Sequence, residues 1–212
     1  MRGLFLHYYY TTMNRMRILL VLLAIIGMLI IYSPSQQFVV QAFIVVSFLS
    51  IILLSLTASN GGKKGWDRYE ITLPVRRRII LMSKYLSFIV WVLLAVVGSS
   101  LFTWIVVKVK GGQYFDYGLR DILTMFFLLI SLSLQICSFF YVGLYLFGLD
   151  KGEVMIFISP ILSLTLTGII VVHINQSGIS IGPARIILLG ISVVFCFLSY
   201  FIALTLYQKT DL

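Results

Sequence analysis

The chain has 212 residues, 60% of them hydrophobic and 11% charged, with a formal net charge of +9. A soluble domain carries about 45–50% apolar and about 25% charged residues, so this composition excludes a water-soluble fold and, with it, a soluble catalytic domain. The basic excess would suggest nucleic acid in a soluble protein. Here the cations flank apolar runs and no soluble recognition module is visible, so membrane lipid head groups, not nucleic acid, are the expected partner of the charge.

Residues 1–17 precede the first apolar run. Leu4, Phe5, Tyr8, Tyr9, Thr12, Met13 and Met16 recur on one side, and His7, Thr11, Asn14 and Arg15 on the other. This is the pattern of an amphipathic helix lying in the membrane interface, or of an N-terminal extension of the first span. A cleavable signal peptide is not expected, because no small-residue cleavage site follows the first run.

Six apolar runs follow, and about 20 such residues cross about 30 Å of hydrocarbon as a helix. The predicted spans are 18–32, 38–58, 85–107, 122–147, 154–172 and 186–207. Arg17 can snorkel to lengthen the first. The break Ser33-Pro34-Ser35-Gln36-Gln37 is turn chemistry, which separates the first two runs into a hairpin. The fold class expected is therefore an all-α polytopic membrane protein with a single transmembrane domain over residues 1–212. Cys137 and Cys196 lie inside apolar runs without paired spacing and read as small buried hydrophobes.

With a cytoplasmic N-terminus, twelve cations face inward. They are Arg2, Arg15, Arg17, Lys63, Lys64, Arg68, Arg76, Arg77, Arg78, Lys84, Lys151 and Lys209. Four, Lys108, Lys110, Arg120 and Arg185, face outward. The asymmetry obeys the positive-inside rule and puts both termini in the cytoplasm.

The longest polar stretch is the cytoplasmic loop 59–84. Ser59-Asn60-Gly61-Gly62 and Gly65 provide turns. Trp66, Tyr69 and Leu73 then repeat at helical spacing, with Asp67, Arg68 and Glu70 between them. Pro74 ends this short helix, since the residue before proline is pushed out of the α region. Arg76, Arg77 and Arg78 open the next helix, which rises through Lys84 into the third span. A basic segment that only sets topology would account for the arginines. The compact Trp–Tyr–Leu face suits docking of a protein.

The segments Gly65-Trp66-Asp67-Arg68-Tyr69, Thr72-Leu73-Pro74-Val75-Arg76-Arg77 and Ser83-Lys84-Tyr85-Leu86 resemble the permease subunits of bacterial type-2 ABC exporters. The likeness is to the small six-span kind that exports amphipathic peptides and toxins. The resemblance implies that the loop is a coupling helix docking on an ATP-binding-cassette ATPase. Trp66, Tyr69, Leu73 and Pro74 would form the docking face, with Asp67, Arg68, Arg76 and Arg77 as flanking charge. It further implies two ATPase copies, a second permease, identical or related, and a bacterial cytoplasmic-membrane location. No cofactor is expected in this chain. It lacks the G-x-x-x-x-G-K-[ST] phosphate loop, so ATP and Mg belong to the partner and the chain itself is not an enzyme.

The predicted span interiors hold no Asp, Glu, Lys, Arg or His, which argues against an ion-coupled carrier. Their polar groups are hydroxyls and amides. Ser131, Gln135 and Ser138 share a face of the fourth span with Val142. Ser159, Ser163 and Thr167 repeat every four residues in the fifth, where Pro160 should bend the helix. Gly98, Ser99 and Ser100 allow close approach of another helix. The hydroxyls and amides serve either interhelical hydrogen bonding or a translocation path, with Gln135 the strongest path candidate. The function expected is an ATP-driven permease for an amphipathic or hydrophobic passenger. The alternatives are an autonomous channel or secondary carrier, and a non-transporting immunity or sensor protein.

Overall fold

A computed structural model describes residues 76–110, 119–148 and 151–209. The interfacial helix, the first two expected spans and the loop up to residue 75 lie outside the described residues. Four helices make up the rest: α1 (Arg77–Lys110), α2 (Leu119–Phe147), α3 (Gly152–Gln176) and α4 (Ile181–Lys209). Each is long and apolar enough to cross a membrane. The bundle alternates direction, so the start of α1, the end of α2, the start of α3 and the end of α4 share one side.

The helix limits have local causes. Arg77 begins α1, as the sequence predicts, and 34 residues at helical rise extend roughly 50 Å, well beyond the hydrocarbon. After Phe147, Gly148 adopts φ 96°, a left-handed conformation that glycine tolerates and that stops α2. Lys151 N–H then donates to the Gly148 carbonyl at 3.1 Å, closing the turn into α3. At the other end of α3, Ser177 N–H donates to His173 O at 3.1 Å and Gly178 N–H to Asn175 O at 3.2 Å. Gly178 takes φ 67° there. Pro183 sits in the first turn of α4, where its missing N–H has no intrahelical partner to lose.

Helix α2 is the centre of the bundle. It packs most extensively on α4, then on α3, while α1 lies against α2 and α4. Ile80, Leu81, Tyr85, Phe88 and Val92 of α1 bury one stripe against Ile136, Phe140, Tyr141 and Leu144 of α2 and Ala203 and Tyr207 of α4. Tyr85 stacks on Tyr141 with centroids 4.7 Å apart and meets Tyr200 edge-on at 5.5 Å, which brings three helices to one point. Gly143 lets Met155 of α3 approach α2; a Cβ there would collide with the Met155 sulfur. The outward faces are apolar, with Phe157, Ile161, Ile186 and Phe197 exposed. A bilayer solvates such a surface and water does not.

The helices run past the expected spans. Lys84, which the sequence places on the helix rising from the loop 59–84 into the third span, is buried two turns inside α1. It sits on the packed stripe, one turn beyond Ile80 and one before Phe88. Among the described residues, nothing lies within 4 Å of where a Gly98 Cβ would stand.

Candidate functional site

A polar seam runs through the apolar centre of the bundle, built by one residue from each of three helices. Gln135 of α2 is fully buried. Its Nε2 donates to Ser192 Oγ of α4 at 2.9 Å, and its Oε1 accepts from Thr167 Oγ1 of α3 at 2.8 Å. Ser192 Oγ donates its own proton to Leu188 O at 2.9 Å, so towards Gln135 it acts as an acceptor. That fixes the amide nitrogen towards α4 and the oxygen towards α3. One amide side chain thereby joins three helices.

The other sequence-predicted intramembrane residues are also buried. Most are satisfied within their own helices. Ser138 donates to Leu134 O at 2.8 Å, Ser159 to Met155 O at 2.7 Å and Ser163 to Pro160 O at 2.8 Å. Such back-bonding is how a hydroxyl is carried through hydrocarbon without a partner helix. Ser131 Oγ, one turn from Gln135, is buried and has no hydrogen-bond partner among the described residues. In this arrangement Ser131, Gln135, Ser138, Ser159, Ser163 and Thr167 thus lie within the packed helices, and Gln135 with Thr167 forms interhelical ties.

Of the residues expected to couple to an ATPase, Arg76 and Arg77 lie within the described part. Trp66, Asp67, Arg68, Tyr69, Leu73 and Pro74 lie outside it. Arg76 is exposed, whereas Arg77 is half-buried and turned inward. Its Nη1 donates to Tyr207 O at 3.0 Å and Gln208 O at 3.1 Å, at the end of α4.

Several partners are invisible from sequence spacing. Tyr85 Oη meets Ser199 Oγ at 3.2 Å across 114 positions. In the sequence Cys137 and Cys196 read separately as buried hydrophobes; Cys137 of α2 lies in the buried core cluster and Cys196 of α4 packs against that cluster. Ser192, Cys196 and Ser199 do recur at helical spacing in the last apolar run, and that repeat is the signal that could have marked the α4 side of the seam.

Four long apolar helices joined by a buried hydroxyl-and-amide seam define a multi-pass membrane protein. Residues 3–208 match the family described as ABC-2 family transporter protein, and the chain belongs to that family. The family supplies the membrane component of ABC transporters; it is not itself catalytic and implies an ABC ATPase as partner. No curated protein and no solved structure matches the chain.

Proposed function

We propose that this chain is the six-span permease of an ATP-driven exporter that moves an amphipathic or hydrophobic passenger, with peptides favoured, out of a bacterial cell. The observation that carries the reading is the family match over nearly the whole chain, 3–208. Buried charge is sparse, which agrees with it. Lys84, near the start of α1, is the one charged side chain among the buried described residues. The midplane ionisable group expected of an ion-coupled carrier has no counterpart in the seam.

In this reading two copies of the ATPase dock on the loops 59–84 of two permeases, identical or related. Trp66, Tyr69, Leu73 and Pro74 are the apolar anchors, with both termini in the cytoplasm and ATP and Mg held by the ATPase. Residues 1–17 form the interfacial helix. The residues Ser131, Gln135, Ser138, Ser159, Ser163 and Thr167 line a path only when α2, α3 and α4 part along the seam. Support for this opening is the uncharged, hydroxyl-rich chemistry, which can exchange helix–helix hydrogen bonds for bonds to a passenger's amides.

The test is reconstitution in vesicles with and without the ATPase, using a dye-labelled amphipathic peptide as probe. ATP-dependent movement that vanishes without the ATPase supports the reading. Movement that persists without it identifies an autonomous channel or carrier instead.

A further inference from the structure

The carbonyls at the end of a helix have no intrahelical donors and carry the negative end of the macrodipole. At the end of α4, Arg77 answers both needs. Its Nη1 bridges Tyr207 O and Gln208 O at 3.0 and 3.1 Å, and the guanidinium lies over the Tyr207 ring at 5.8 Å from its centroid. That separation is within cation–π reach. The Tyr207 ring in turn stacks on Tyr145 of α2 at 5.0 Å. Both tyrosines are buried. The two flanking arginines differ: Arg76 and Arg78 are exposed. Of the three, the middle one is turned into the bundle, because successive helical residues point about 100° apart.

We propose that Arg77 is a positioning residue that locks the start of α1 to the end of α4, so that displacement of the loop ahead of it moves α4 and, through Tyr207 and Tyr145, α2. This deepens the exporter reading and rests on it for the source of the displacement. Arg77 stands three residues after Pro74, where the docking segment ends. A push on that segment therefore reaches the last span at its own end, without passing along α1. The lock needs a planar cation. Arginine supplies two N–H groups on one nitrogen together with a face for the ring, whereas lysine supplies charge without the plane.

The experiment uses the full permease with its ATPase in vesicles, reading ATP hydrolysis and movement of a dye-labelled amphipathic peptide on the same preparation. Hydrogen exchange of residues 203–209 is measured on the same permease. Arg77→Ala should lower peptide moved per ATP hydrolysed by roughly 5-fold or more, in the range of ordinary site-to-site coupling. The ATPase should still co-purify, and exchange in the last turn of α4 should quicken. Arg77→Lys should recover part of the ratio, which a loss of folding would not allow. Tyr207→Leu, which keeps both carbonyls, should produce a smaller loss that does not add to that of Arg77→Ala. An unchanged ratio in Arg77→Ala overturns the proposal, as does loss of the ATPase, which would make Arg77 a direct contact to the partner. If the wild-type permease itself binds no ATPase and moves no peptide with ATP, the exporter reading fails separately. Exchange at 203–209 then decides the lock: faster in Arg77→Ala supports it, unchanged overturns it.

Discussion

Replacing Gln135 by leucine removes the amide that joins α2, α3 and α4 while keeping approximate volume. Two interhelical hydrogen bonds are lost, to Ser192 at 2.9 Å and from Thr167 at 2.8 Å. Ser192 keeps its bond to Leu188 O, and Thr167 can turn to a carbonyl of its own helix. Neither hydroxyl is therefore stranded, and the cost reduces to the two ties. At about 0.6 kcal/mol for an average hydrogen bond between membrane helices, the loss should be about 1.2 kcal/mol. Gln135→Ala should cost more, about 2 kcal/mol or above, since it also leaves a void that buried helices fill poorly. The assay is equilibrium unfolding of the permease in mixed micelles, with Thr167→Val as the second arm of a double-mutant cycle. A coupling of about 0.6 kcal/mol between Gln135→Leu and Thr167→Val is expected, because both remove the same bond. Strict additivity, or a Gln135→Leu variant as stable as wild type, would refute the tie. On the same preparations a shift in which passengers stimulate the partner ATPase is the mark of a path residue. A destabilised complex with an unchanged passenger profile would leave Gln135 as a tie alone.

Three further outcomes are expected. Trp66→Ala or Leu73→Ala should weaken co-purification with the ATPase or uncouple its hydrolysis from transport, with insertion intact, since a few buried anchors hold most of an interface's energy; normal assembly and transport in both would remove the loop from the mechanism. Cysteine placed at Ser59 should be shielded from impermeant reagents outside intact cells, and cysteine at Gln113 should be labelled; labelling of Ser59 from outside overturns the topology. Gly148→Ala should destabilise the α2–α3 turn by about 1–2 kcal/mol, the cost of a left-handed conformation for an L-residue, because Gly148 has φ 96° and open space around it; unchanged unfolding would show that the turn relaxes.

The helices of the described region are legible because bilayer physics is written into long runs. Span interiors must be apolar, and the breaks at Gly148 and Gly178 must allow left-handed backbone. The helix start at Arg77 also follows from the sequence, through Pro74 and the arginines after it. Helix length is less legible. Hydropathy marks where lipid begins, but hydrogen bonding carries α1 and α4 beyond that level, and so Lys84, read as a cytoplasmic cation on the helix rising into the third span, gives no sign in the sequence that it is buried. The seam is half legible: Ser131, Gln135 and Ser138 stand out by spacing on α2. Thr167 also stands out by its four-residue repeat. The pairing of Gln135 with Ser192 does not, because which face of α4 meets α2 depends on the crossing of two helices whose paired residues lie 57 positions apart along the chain. The packing of Cys196 against the cluster that holds Cys137 and the seat of Arg77 on backbone carbonyls are hidden for the same reason. A carbonyl has no sequence signature at all.

The distribution of hydrogen bonds also bears on whether these helices can move. Nearly all the hydroxyls named in the bundle bond to their own helix: Ser83 to Ile80 O, Ser87 to Lys84 O, Ser138 to Leu134 O, Ser159 to Met155 O, Ser163 to Pro160 O. These bonds travel with the helix and cost nothing when it shifts. The crossing bonds in the middle of the bundle are few. Among the described residues they include Gln135 to Ser192, Thr167 to Gln135, and Tyr85 with Ser199. At about 0.6 kcal/mol each, breaking these three costs about 2 kcal/mol. Replacing them by buried ion pairs would raise the cost of separation to several kcal/mol per pair, since each half would be left charged in hydrocarbon. Under the proposed opening, this arrangement keeps the cost of parting the helices low. Strong fixation sits at the end of the bundle, where Arg77 grips α4, and weak ties sit in the middle, where a passenger would have to separate the helices.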